Sequence, residues 1–184
     1  SMEVRERLWS GCTGIDGAAS TFLTGVLHCA ERSVGSVTIA DISQPGAPLI
    51  YVNDQFVQLC GYTREEILGR NCRFLQGPET EPEMVASIQE CMRTGGDCHV
   101  RITNYRKDGS TFLNLLSLRC IREKNGISRF VVALQAKVTT AEASNPTMSV
   151  PSSPDELDSA SRRQLEWQQR VFRRMPSLLE IHIP

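Results

Sequence analysis

Five runs of the chain are rich in β-branched, aromatic and alternating apolar residues, and between and around them apolar positions recur three and four apart. "SVTIAD" at 36–41 and "LIYVND" at 49–54 are separated by "ISQPGAP", a loop punctuated by proline and glycine, which predicts two strands. Three longer runs, about 98–105, 111–121 and 128–138, are divided by "KDGS" and "KNGI", both hairpin signals. Thr63 followed by Glu66 is a capping box, and Gly69 is a stop, so a short helix ends just before residue 70. A second box, Thr80 to Glu83, predicts a longer helix. There Met84, Val85, Ile88 and Met92 share a face and Gly95-Gly96 end the run. These elements describe an α+β domain, a five-stranded antiparallel sheet with helices packed on one face.

Both flanks carry their own signals. Ala19, Phe22, Leu23, Val26, Leu27 and Ala30 form the stripe of an N-terminal helix within 1–34, where Ser1-Met2 has the look of an expression scar. Residues 139–152 are a polar linker. In 153–184, Ser153-Pro154-Asp155-Glu156 is a capping box that predicts a helix to about Met175. Leu157, Ala160, Gln164, Trp167 and Val171 would form its seam, suited to a homodimer or an effector, and Arg162, Arg163, Arg170, Arg173 and Arg174 make its second half basic. The core domain is thus expected at 35–138.

Composition narrows the chemistry. No apolar run reaches the roughly 18 residues of a membrane span, and a net charge of −1 gives no general attraction to polyanions, with no motif supporting nucleic-acid binding. Seven cysteines without CxxC spacing argue against a disulfide framework and a zinc site, and favour a reducing, cytoplasmic setting. None of the three histidines lies beside a plausible nucleophile in sequence, so no hydrolase constellation is evident.

Candidate chemistry lies on the last three strands. Strand side chains alternate between faces, so Asn104 shares a face with Val100 and Ile102, Asn114 with Phe112, Leu116 and Leu118, and Gln135 with Val131 and Ala133. A two-residue turn at Asn125-Gly126 would set Leu116 opposite Gln135. An odd residue count in the preceding loop would add Asn104 to the same face. Three neutral amides on an apolar surface must bond to each other, to backbone, to water or to a ligand, since a buried amide without a partner costs roughly 1–3 kcal/mol. Mutual bonding or exposure at a sheet rim is one outcome. Binding of a planar heterocycle with alternating donors and acceptors is the other.

The string "GRNCRFLQG" at 69–77 sets Cys72 between Asn71 and Arg73, polar company for a residue that is usually a small hydrophobe. Together with "NYRKDG", Asn114 in "FLNLLSL" and Gln135 in "FVVALQ", it resembles the light-oxygen-voltage (LOV) branch of the PAS superfamily over about residues 35–138. The resemblance implies a PAS fold that binds flavin mononucleotide (FMN) and adds a cysteine sulfur to the flavin C4a atom after blue-light absorption. Carried across, Cys72 is the adduct-forming thiol, Asn71 and Gln76 bond the ribityl chain, and Arg73 pairs with the phosphate. Asn104, Asn114 and Gln135 meet the polar edge of the ring, with Phe74, Leu75, Leu116 and Leu118 as apolar walls. Gln135 would rotate its amide when the ring nitrogen facing it gains a proton, biasing the flanking helices.

This chain departs from the family's pattern at several positions. Gln89 stands where many relatives carry a second phosphate-binding arginine, which opens the site to riboflavin or FAD unless Arg93 substitutes. Cys120, Ala133 and Lys137 replace a common proline, glycine and aspartate. Two other readings stay open: a flavin-free PAS module for protein association, and a flavoprotein redox enzyme, although no Gly-rich dinucleotide fingerprint is present.

Overall fold

The computed structural model describes residues 25–26, 35–123, 126–138 and 159–174. Strands β1 (Ser36–Asp41), β2 (Leu49–Val52), β3 (Asp97–Tyr105), β4 (Thr111–Arg122) and β5 (Ser128–Lys137) form one sheet in the spatial order β2-β1-β5-β4-β3, every neighbouring pair antiparallel. Among the described residues, the last strand in sequence is therefore the middle one in space. The sheet's inner face is covered by helices α1 (Asp54–Cys60), α2 (Arg64–Ile67) and α3 (Pro82–Thr94) and a 3₁₀ turn, Cys72–Leu75.

Turn chemistry sets most boundaries where the pattern places them. Thr63 and Glu66 make the reciprocal capping box of α2, and Gly95, at φ 71°, ends α3 by donating to Cys91 O. β2 is shorter than expected. Asn53 leaves the strand to cap α1, accepting the N–H of Phe56 (3.1 Å) and of Val37 (2.9 Å) while its amide donates to Gly35 O (2.8 Å). Those bonds take Asn53 and Asp54 out of the predicted strand and begin a helix that Gly61 terminates at φ 76°.

The expected second capping box is not formed. Glu81 is the N-cap of α3, with Pro82 at the first helical position and no side chain bonding the first N–H groups. Strand β3 competes for these side chains and wins. The Thr80 hydroxyl donates to Thr103 O (2.8 Å), and the Glu81 carboxylate accepts the N–H (2.7 Å) and hydroxyl (2.8 Å) of Thr103. Three bonds to one residue thus fix the start of α3 against the sheet.

Register follows from loop parity. Tyr105 pairs with Thr111 across five residues, so Asn104 lies opposite Phe112 and Ile102 opposite Asn114. Leu116 faces Gln135, as a two-residue turn would require, but by another route. Glu123 donates to Ile127 O (2.9 Å), Arg122 pairs with Ser128, and a bulge at Arg129 restores Ile121 to Phe130. Asn125 itself lies outside the described residues.

Helix α4 (Ser159–Arg174) packs on the opposite, outer face. Its Phe172, together with Val26, joins Val37, Ile39, Ile121, Phe130, Val132 and Leu134. The buried side chains are Ser161, Gln168 and Phe172, with Leu165 half-buried, one position along from the predicted seam. Gln164, Trp167 and Val171 flank that face, half-buried. The seam shifts because two polar residues occupy the middle of the buried face, where an apolar stripe cannot register them. Leu157, the capping box at 153–156 and all of the N-terminal stripe except Val26 lie outside the described residues. No helix among the described residues is long and apolar enough to cross a membrane.

Candidate functional site

Asn104, Asn114 and Gln135 meet on the inner face of β3, β4 and β5, each almost fully buried. The Asn114 amide donates to Asn104 Oδ1 (2.9 Å) and Gln135 Oε1 (3.1 Å). Gln135 Nε2 donates to the hydroxyl of Thr38 on β1 (3.3 Å), and Asn104 Nδ2 donates to Leu75 O (3.3 Å). One group is left over. Asn114 Oδ1 is buried and accepts no hydrogen bond. Mutual bonding therefore occurs but does not satisfy the trio, and an acceptor stranded in an apolar interior costs about 1–3 kcal/mol unless a donor reaches it.

Two separate apolar clusters share this face. Val100, Ile102, Leu118, Cys120 and Ala133 pack with Met84, Val85, Ile88 and Met92 of α3, and half-buried Leu116 adjoins them. Leu49, Val52, Phe56, Cys60, Ile67 and Leu75 form the other cluster, with Phe74 against it. The predicted walls thus divide: Leu116 and Leu118 belong to the α3 side, Phe74 and Leu75 to the α1 and α2 side. The Phe74 ring is occupied further by Tyr62, edge-on at 5.0 Å, and by the Arg70 guanidinium at 4.5 Å.

The 3₁₀ turn presents Cys72 and is tied to the trio through Leu75. Asn71 is its N-cap: Oδ1 accepts the backbone N–H (3.0 Å) and Nε (3.1 Å) of Arg73, while Nδ2 donates to Gly46 O (2.6 Å). Gly77 ends the string because a Cβ there would stand 2.5 Å from the Tyr105 ring. Cys72 has an exposed surface, yet protein crowds its sulfur and this burial pushes the thiol up from its ordinary value, opposed by the charge of Arg73. The thiol is consequently protonated at neutral pH.

The phosphate candidate Arg73 and the ribityl candidate Gln76 are exposed, as is Gln89 on α3. Arg93 is paired on the surface with Glu90 through Nε (2.8 Å) and a terminal nitrogen (2.6 Å). The other described cysteines are free thiols and buried. Burial and the neighbouring Cys120 and Cys98 push Cys91 up to about 12. Sequence patterning missed Thr38, whose hydroxyl sits beside Gln135, because a strand threonine carries no positional signal of its own.

A model of the PAS domain family matches residues 35–139. The chain is 39% identical over 136 residues to blue-light-activated histidine kinase 2 of Erythrobacter litoralis, covering 74% of this chain and 36% of that protein. It is 43% identical over 115 residues to a blue-light photoreceptor of Listeria innocua, covering 62% of this chain and 45% of that one. The chain therefore spans less than half the length of these relatives. Among solved structures, the LOV domain from an Erythrobacter litoralis blue-light-activated histidine kinase aligns at a TM-score of 0.55 and 42% identity, over 58% of this chain and 97% of that one.

Proposed function

Since the chain belongs to the PAS superfamily, in its LOV branch, we propose that it is a non-enzymatic blue-light sensor that holds a flavin against the amide-bearing face and bonds it reversibly through Cys72. The unmet Asn114 acceptor, set in a line of amides beside the turn that presents a protonated thiol, carries this reading. An isoalloxazine edge offers the alternating donors and acceptors that such a line matches. When bound, the flavin supplies a ring carbon and a ring nitrogen that blue light makes electrophilic and basic.

Cys72 would supply both partners of that chemistry, its thiol giving the sulfur for the ring carbon and the proton for the ring nitrogen, and taking the proton back in darkness. Gln135 would answer a proton at that nitrogen by turning its amide. Thr38 accepts from Gln135 Nε2 in one orientation, and its hydroxyl can donate to Oε1 in the other, so neither state strands the hydroxyl. Arg73, with Asn71 and Gln76, would hold the phosphate and ribityl chain of FMN. Because Gln89 is neutral, this site discriminates less strongly against riboflavin or FAD. The five described cysteines, all free thiols, suit a reducing, cytoplasmic setting. Output passes through the flanking helices to a second copy or an effector.

Absorbance spectra of the purified protein before and after blue light test this. The expected result is a flavin band that bleaches under illumination and recovers in darkness, with Cys72→Ala keeping the band and losing the reversible bleach. Colourless protein, or a Cys72→Ala variant that responds like the wild type, overturns the reading.

A further inference from the structure

Gln168 is fully buried although it lies on the surface-docked helix α4. Its Nε2 donates to Leu115 O (3.0 Å) and Leu134 O (3.3 Å), and its Oε1 accepts from the Ser117 hydroxyl (2.8 Å). Ser117 in turn is 2.8 Å from His99 Nδ1. These contacts reach the outer face of the sheet directly behind the amide trio. Leu134 O belongs to the same peptide plane as the nitrogen of Gln135, and Leu115 O to that of Leu116, the residue paired with Gln135. One side chain therefore grips both peptide planes that position the directly opposed Leu116 and Gln135.

An apolar residue would have covered this patch without the need to satisfy a buried amide, and a half-satisfied amide would cost more than none. Gln168 is satisfied only while both carbonyls keep their present orientation. The α4 helix also shares an open cleft of about 440 Å³ with the site's own strand, bounded by Gln135 and Lys137 on β5 and by Ser161 and Gln164 on α4. A turn of the Gln135 side chain that tilts its peptide plane thus changes the bond holding α4, and no change elsewhere is required.

Resting on the light-sensing reading above, we propose that Gln168 is the positioning residue through which the state of Gln135 reaches α4. It acts through the sheet backbone and touches no chromophore atom. By reciprocity, occupancy of its docked position also biases the orientation of the strands that carry Gln135.

The test uses the full chain with wild type, Gln168→Met, which preserves length and volume, and Ser117→Ala, which removes the bond to Oε1 together with the His99 contact and leaves both carbonyl bonds of Gln168 in place. Amide hydrogen exchange in residues 159–174 is compared in darkness and under continuous blue light. In wild type the light-to-dark ratio is expected to be at least about fivefold, the lower range of coupling between sites. Gln168→Met should keep the bleaching flavin band while this ratio falls to near one, and Ser117→Ala should fall between. A wild-type ratio in Gln168→Met, or wild type that bleaches with no change in α4, overturns the proposal. If Gln168→Met does not accumulate as folded protein, Ser117→Ala decides, a wild-type ratio in it counting against the proposal.

A second measurement does not depend on light. In a double-mutant cycle of Gln168→Met with Gln135→Leu, followed by urea unfolding, the unfolding constants should depart from multiplicativity by at least about twofold. Multiplicative behaviour would show Gln168 to be merely structural. Absence of any flavin band would sink the light-sensing reading alone, leaving this cycle to judge the coupling.

Discussion

A hydroxyl can donate or accept, whereas each end of an amide can do only one of these, and Thr38 and Gln135 bring the two together where β1 meets β5. Thr38→Val keeps the shape and removes the adaptable partner. Dark recovery after a light pulse, followed by absorbance, should change by about twofold to twelvefold, the effect of a hydrogen bond worth about 0.5–1.5 kcal/mol, while the band of the dark state persists. Much at this scale was legible in the chain. Asn104, Asn114 and Gln135 could be set on one face because strand periodicity is two and the intervening loop is odd. The destinations of Thr80, Glu81 and Asn53 could not, because each bonds to a strand distant in sequence, and a local rule such as the capping box sees only its neighbours.

At the scale of elements, Asn53 joins what would otherwise be two independent pieces, the entry of β1 and the start of α1. Asn53→Ala removes three bonds from a buried position, taking the side-chain partner from the Val37 N–H and Gly35 O and leaving the Phe56 N–H with Asn53 O alone at 3.2 Å. A loss of about 2–4 kcal/mol is expected, combining the cap with the buried unsatisfied groups, measured as a lower urea midpoint at unchanged slope. A midpoint within error of wild type would show that water replaces the side chain there. Helix α4 teaches the complementary lesson. Its existence was readable from spacing, but its buried face was misplaced by one position because Ser161 and Gln168 are polar residues used as core. Amphipathic reasoning assumes that buried means apolar, and fails where a buried group is bonded instead.

For the whole molecule, the sheet is a partition with different business on its two sides: amides and a thiol inside, α4 outside. Gly35, the residue just before β1, lies directly against Trp167 and Gln164 of α4. A Cβ there would lie 2.4 Å from the Trp167 ring, so Gly35→Ala should push α4 away while leaving the inner face intact. Trp167 emission should shift to the red and exchange in 159–174 should rise in darkness, with flavin content unchanged. Flavin loss in parallel would mean that the two faces are not separable in this way. Arg119 adds to the grip from the sheet, bonding Phe172 O and Asp97 and lying 4.9 Å from the Phe172 ring.

The central place of β5 has a consequence for synthesis. Thr38 and Gln135 are 97 residues apart, yet β5 stands between the β1/β2 pair and the β3/β4 pair. A nascent chain can form those two hairpins early but cannot join them until β5 has left the ribosome. Until then each presents an unpaired strand edge, open to pairing with the wrong neighbour. Truncation shortly before residue 130 would therefore yield two sticky halves, prone to aggregate, instead of a smaller working domain.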